Sequence, residues 1–130
     1  MTESLANILA VGGGSAMGAI CRYGAGLLPW LQGSRCFPTL TVNIVGSILI
    51  GVAWTLFERH ETLHLWYMFL VTGFLGGFTT FSTFSLDAVI LLKTGRLWEF
   101  AGYALVTLTV CIVGCLAAHY TTARVLHLPD

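Results

Sequence analysis

Charged side chains are scarce in this sequence. Only 9% of its 130 residues are Asp, Glu, Lys or Arg, the six basic and six acidic residues cancel, and 56% are hydrophobic. This composition lies outside the range of soluble globular domains and predicts a membrane protein. The basic residues stand singly, so no cationic face is available for nucleic acid, and we expect no nucleic-acid partner.

Paired cysteines are also lacking. The four cysteines lie at positions 21, 36, 111 and 115 and form no CxxC pair. This spacing argues against both a disulfide framework and a zinc cage. We interpret the cysteines as small packing residues of apolar segments.

Apolar runs of about 20 residues, the length that crosses a bilayer, are present four times. The predicted spans cover approximately residues 5–28, 39–57, 65–92 and 100–120. Short polar connectors separate them, and tryptophans lie near their ends, as is typical of membrane interfaces. The sequence therefore predicts one all-α membrane domain with four transmembrane helices, covering residues 1–130.

The flanking Lys and Arg residues are divided almost evenly between the two sides of the membrane. With four alternating spans, one side receives two of them and the other side receives three, namely Arg35, Lys93 and Arg96. Because this bias sets orientation, the chain has little preference and can insert both ways round. Four thin helices do not easily enclose a polar pathway, so two copies, which weak bias allows to be antiparallel, are expected to build one.

The third span contains the most unusual segment of the chain, GFLGGFTTFSTFS at residues 73–85. It combines three glycines with five hydroxyl residues, and each Gly weakens a helix interior by about 1 kcal/mol relative to Ala. Non-helical backbone at membrane depth persists only where protein, ions or water satisfy its freed groups. The segment predicts a broken third helix that contains an ion or solute site.

Polar residues in the other spans are candidates for the same site. Asn43 lies in the middle of the second span, where its amide requires a partner from another helix, an ion or water. Tyr103, Thr107 and Cys111 follow at four-residue steps and share one face of the fourth span. Hydroxyl and thiol groups also bond readily to their own helix backbone, so this stripe alone does not establish a site.

The third span contains three further candidate residues, two phenylalanines and one aspartate. Phe81 and Phe84 are three residues apart and therefore neighbours on a helix. Aromatic edges are electropositive and attract a small anion weakly enough to release it, although a pair of Phe in a membrane helix usually serves packing alone. For Asp87 we favour a capping or subunit-contact role over a proton relay.

Taken together, these residues resemble the CrcB/Fluc family of fluoride channels. The resemblance rests on GAICRYG around Arg22, TLTVNIVGS around Asn43 and the segment at 73–85, and it covers nearly the whole chain. It implies an antiparallel, dual-topology homodimer in a prokaryotic inner membrane, with two pores and no catalytic residues. Fluoride would leave the cytoplasm passively through these pores, which gives the cell fluoride resistance.

The resemblance also implies roles for individual residues. A structural sodium ion at the dimer centre would be held by the main-chain carbonyls of Gly76 and Thr79, as hard cations are held by discontinuous helices. The implied fluoride-pathway residues are Asn43 as a donor, Phe81 and Phe84 as ring edges, Ser82 and Thr83 as hydroxyls, Tyr103, Thr107 and Cys111 as a polar track, and Arg22 as the charge that draws anions in. Relatives often carry serine on that track, where this chain has Thr107 and Cys111.

Two other functions are considered. His60, Glu61 and His64 match the H-E-x-x-H pattern of zinc proteases, but they lie in a short connector, whereas that pattern requires a helix, a third ligand and a cleft. A proton-coupled exporter of organic cations would share the four-span size. Such carriers require a buried acid in an early span, where this chain has Gly and Ser.

Overall fold

The computed structural model describes residues 2–58 and 63–127. These residues form helices and no strand. The helices are α1 (Thr2–Gly26), α2 (Cys36–Phe57), α3 (His64–Tyr67), α4 (Gly76–Phe78), α5 (Phe81–Lys93) and α6 (Leu97–Val125), with a π-helical segment (Met68–Leu75) between α3 and α4 and a 3₁₀ turn (Pro29–Leu31) after α1.

Four stretches of these helices are long and apolar enough to cross a membrane: Thr2–Gly26, Cys36–Phe57, His64–Lys93 and Leu97–Val125. The prediction of an all-α, multi-pass membrane protein is confirmed. The first stretch ends before residue 28 because Leu28 is extended (φ −68°, ψ 124°), the conformation that a following proline favours. The second begins before residue 39 because α2 accepts Pro38 in its first turn.

The third stretch changes conformation in its middle. After α4 ends at Phe78, Thr79 (φ −85°, ψ 160°) and Thr80 (φ −153°, ψ 113°) are extended, and α5 begins at Phe81. Thr80 caps α5, since its Oγ1 accepts the N–H of Thr83 at 3.2 Å, the usual contact of an N-cap threonine. Two non-helical residues therefore lie inside apolar sequence, separated by the three residues of α4 from a π-helical segment, a conformation often found at functional sites.

Glycine faces position this third stretch. A Cβ on Gly14 would overlap the backbone of Phe69, and one on Gly18 would overlap that of Phe74, so α1 contacts the π-helical segment backbone to backbone. Gly77 makes a similar contact with Ser15. Small residues of this kind allow helix backbones to approach in membranes.

Candidate functional site

Asn43 is bonded to the interruption between α4 and α5. Its side chain is buried in the middle of α2 and makes two hydrogen bonds with the backbone of Thr80. Asn43 Nδ2 donates to the Thr80 carbonyl at 3.0 Å, and Oδ1 accepts the Thr80 N–H at 2.8 Å. The amide thus supplies both partners that the extended residue needs when it is buried.

These bonds leave two carbonyls without their helical donors. In a continuous α-helix the Thr80 N–H would bond to the Gly76 carbonyl, and the Thr83 N–H would bond to the Thr79 carbonyl. Here the first N–H goes to Asn43 and the second goes to the Thr80 hydroxyl. Gly76 is exposed and Thr79 is half-buried, so both carbonyl oxygens are suited to a hard cation.

A cavity of about 250 Å³, the Asn43 cavity, lies between α2, the extended residues and α6. Its lining residues are Asn43, Gly46, Ser47, Ile50, Thr79, Thr80, Phe81, Phe84, Thr107, Leu108, Cys111 and Ile112. The structure thus brings together Asn43, both phenylalanines and two members of the fourth-span stripe. Phe81 is 71% exposed and Phe84 is buried, with their ring centroids 5.4 Å apart.

Two buried hydroxyls on α6 have no hydrogen-bond partner among the residues that the structure describes. Tyr103 and Thr107 are 8% and 5% exposed, and neither Tyr103 Oη nor Thr107 Oγ1 forms a hydrogen bond within residues 2–58 and 63–127. A buried polar group without a partner costs about 1–3 kcal/mol. Thr107 lines the Asn43 cavity, and Tyr103 lies one turn away with its ring centroid 5.1 Å from that of Phe84. The Thr107 hydroxyl is therefore available as a donor to a ligand in the Asn43 cavity.

A second cavity, the Arg22 cavity, has a volume of about 270 Å³. Its lining residues are Ala19, Arg22, Tyr23, Pro38, Thr39, Val42, Thr80 and Thr83. Thr80 contributes to the walls of both cavities. Arg22 and Thr83 are therefore grouped apart from the phenylalanines, while Ser82 is exposed and lines neither of these two cavities.

The family model that matches this chain is described as CrcB-like protein, Camphor Resistance (CrcB), and it covers residues 9–119. The chain belongs to the CrcB family. The resemblance seen in the sequence motifs is thereby confirmed. The matched range includes every candidate pathway residue from Arg22 to Cys111.

Several relatives of this CrcB protein are similar over most of their length. One from Agrobacterium fabrum is 46% identical over 114 residues, which is 85% of this chain and 91% of the relative. One from Bordetella petrii is 45% identical over 121 residues, 90% of each chain, and one from Nitrobacter winogradskyi is 41% identical over 122 residues, 92% of this chain and 96% of the relative. All three carry the name fluoride-specific ion channel FluC.

Sequence reasoning missed an ion pair in this CrcB protein. Asp87 is 3% exposed, and its carboxylate accepts hydrogen bonds from Thr39 Oγ1 at 2.9 Å and from Arg35 Nε at 3.2 Å. Asp87 therefore bonds to Thr39 of α2 and to Arg35, the residue before α2. Asp87 lies in the interior of α5 and does not cap that helix. Arg35 and Asp87 are 52 residues apart in the sequence, so no local sequence pattern indicates that they pair.

The H-E-x-x-H match lies largely outside the described residues, since His60 and Glu61 are not among them. His64 is at the start of α3, where its Nε2 is 3.3 Å from Asn7 Nδ2. Within the described ranges, no group of three His, Cys, Asp or Glu side chains is placed to hold a metal ion. No observation on this part of the chain supports a zinc protease or a proton-coupled exporter.

Proposed function

We propose that this CrcB-family chain forms a passive, fluoride-selective ion channel. The observation that carries the proposal is the set of unused donors at the Asn43 cavity. Asn43 Nδ2 has two hydrogens and gives one to Thr80, and the Thr107 hydroxyl gives none within the described residues. Such donors suit a small anion that has shed water, and fluoride is the halide that accepts hydrogen bonds most strongly.

The walls of the cavity favour passage over tight binding. The lining residues include no Lys, Arg, Asp or Glu, so neither a fixed positive charge traps the ion nor a carboxylate repels it. The edges of Phe81 and Phe84 are weakly electropositive, and conduction requires binding weak enough for release. The partial positive charge at the N-terminus of α5 adds to the attraction. No chemical step on a substrate is needed, which supports a function other than an enzyme.

The interrupted third helix also supports a bound sodium ion. The carbonyls of Gly76 and Thr79 are the predicted ligands, and both have lost the N–H donors that a continuous helix would give them. When bound, sodium would offset the repulsion among these carbonyl dipoles. Broken membrane helices offer cations this kind of site.

The same features support an antiparallel, dual-topology homodimer. Gly76 and Phe81 are exposed on the single chain, so a second copy can complete both the cation site and the wall of the anion pathway. The near-even distribution of Lys and Arg allows insertion in both orientations. We place the dimer in the lipid of a prokaryotic inner membrane, where it exports fluoride and confers fluoride resistance.

Flux from liposomes tests this proposal. Purified protein in sodium-containing buffer is reconstituted into vesicles loaded with potassium fluoride, and valinomycin is added to carry the compensating potassium. A fluoride electrode should record release far above that of protein-free vesicles, and vesicles loaded with potassium chloride should lose little chloride. The proposal fails if fluoride release equals that of empty vesicles, or if chloride leaves as fast as fluoride.

A further inference from the structure

Gly46 of α2 lies against the side chain of Thr79, the first extended residue of the third membrane-spanning stretch. A Cβ on Gly46 would overlap the methyl carbon of Thr79, Cγ2. The next nearest atoms, Phe78 Cδ1 at 3.5 Å and Thr79 Cβ at 3.6 Å, would be in ordinary contact with it. The absence of a side chain at position 46 therefore leaves a notch on α2, the Gly46 notch, that the Thr79 methyl group fills.

The other group on the Thr79 side chain is fixed to its own helix. Thr79 Oγ1 donates to the Leu75 carbonyl at 2.9 Å, and the Thr79 backbone N–H donates to the same oxygen at 3.0 Å. A threonine carries two heavy atoms on its β-carbon, and here one bonds to Leu75 while the other fills the Gly46 notch. Both atoms together determine the side-chain conformation of Thr79.

The peptide bond that follows Thr79 is held from the same face of α2. Asn43 lies three residues before Gly46 and is its neighbour on the helix surface, and its Oδ1 accepts the Thr80 N–H at 2.8 Å. The peptide bond between Thr79 and Thr80 is trans, and in a planar trans peptide the C=O and N–H bonds point in opposite directions. The Thr79 carbonyl therefore points away from Asn43.

We infer that Gly46 is a positioning residue for the proposed cation site. Because it has no side chain, Thr79 can lie close enough to α2 for Asn43 to hold the next peptide bond, which directs the Thr79 carbonyl away from Asn43. An added Cβ would displace Thr79 and, with it, the carbonyl that is the proposed sodium ligand. This inference rests on the proposed function and deepens it, because it assigns a role in cation binding to a residue of another helix that does not touch the ion.

Equilibrium binding of radioactive sodium to the purified, detergent-solubilised protein tests this inference without relying on flux. The protein is first freed of sodium by purification in a large organic cation, and sodium is then titrated back. Gly46→Ala should raise the sodium Kd about tenfold to a hundredfold, the usual effect of replacing a residue that supports metal ligands without binding the metal.

A rescue substitution and a matched glycine separate positioning from a general loss of stability. Thr79→Ser removes the methyl group but keeps the hydroxyl that bonds to Leu75, so it should change the sodium Kd little by itself. Added to Gly46→Ala, it should restore a nearly normal Kd, because the new Cβ then takes the place of the methyl group. Gly51→Ala is the control: its Cβ would overlap the backbone carbonyl of Cys115, so it should lower stability and leave the sodium Kd of the folded protein unchanged.

Three results would overturn the inference. Gly46→Ala could bind sodium as tightly as the unmodified protein, Thr79→Ser could fail to rescue it, or Gly51→Ala could weaken sodium binding as much as Gly46→Ala does. If Gly46→Ala alone does not fold, the double variant decides: it should fold and bind sodium with nearly normal affinity, and failure to do either overturns the inference. If the unmodified protein binds no sodium, the cation site of the proposed function fails and this inference fails with it; normal sodium binding that Gly46→Ala leaves unchanged rejects only the inference.

Discussion

Replacement of Asn43 by alanine tests the contact on which the extended residues depend. The Asn43 side chain makes two hydrogen bonds, at 3.0 and 2.8 Å, to the carbonyl and N–H of one buried residue, Thr80. Asn43→Ala leaves both backbone groups without a partner. Each buried, unsatisfied group costs about 1–3 kcal/mol, so the loss is about 2–6 kcal/mol.

Water from the adjoining cavities should recover part of this loss. Both the Asn43 cavity and the Arg22 cavity are bounded by Thr80, and a water that reaches it can replace some of the lost bonding. We therefore expect the free energy of unfolding to fall by about 2–4 kcal/mol. Fluoride efflux should fall about tenfold or more, because a donor to the ion is lost as well.

Chemical denaturation in mixed micelles, followed by tryptophan fluorescence, measures the stability, and the liposome assay measures the efflux. Asn7→Ala is the matched control, because Asn7 makes one exposed hydrogen bond to His64 at 3.3 Å. Its unfolding free energy should change by no more than about 0.5 kcal/mol, with normal efflux. An Asn43→Ala protein as stable and as fast as the unmodified protein would refute the reasoning.

Three further predictions follow from the structure. Thr107→Val should slow fluoride efflux about tenfold yet leave stability unchanged or slightly higher, because it removes a buried hydroxyl that has no partner in the described part of the chain. The same change at the exposed Thr109 should alter neither property, and normal efflux from Thr107→Val would contradict its pathway role. Gly18→Ala should destabilise the fold by about 1–3 kcal/mol, since its Cβ would overlap the backbone of Phe74. Gly12 has open space around it, so Gly12→Ala should be neutral or stabilising by up to about 1 kcal/mol. Equal effects of the two substitutions on thermal unfolding would contradict the packing of α1. Replacing sodium by a large organic cation throughout purification and flux assay should abolish efflux, and readdition of sodium should restore it; efflux that is indifferent to sodium would reject the cation site.

The four spans could be predicted from the sequence because an apolar run of bilayer length is a local property. The unusual segment of the third span could also be found, but its glycines act differently from the expectation. Gly76 and Gly77 are helical, and Gly77 contacts Ser15 of α1. The extended residues are instead Thr79 and Thr80, because Asn43 of another helix supplies the partners that helical backbone would have provided.

Long-range partners are the part of the site that the sequence could not specify. Its position inside an apolar span indicates that Asn43 needs a partner, but the sequence does not identify that partner as Thr80, which is 37 residues away. The same limit applies to Asp87 and Arg35, whose pairing depends on how α5 packs beside the start of α2. The equal treatment of Ser82 and Thr83 also reflects this limit, since only their positions relative to the two cavities distinguish them.

The central claim, passive conduction selective for fluoride, is tested most directly by the reversal potential of currents through purified protein in a planar bilayer. The solutions contain sodium, a fluoride gradient, an opposing chloride gradient and, in a second series, a pH gradient. The account predicts a reversal potential that follows the fluoride gradient and is unaffected by the other two. A reversal potential that follows chloride, or that shifts with the pH gradient at constant fluoride, would contradict it.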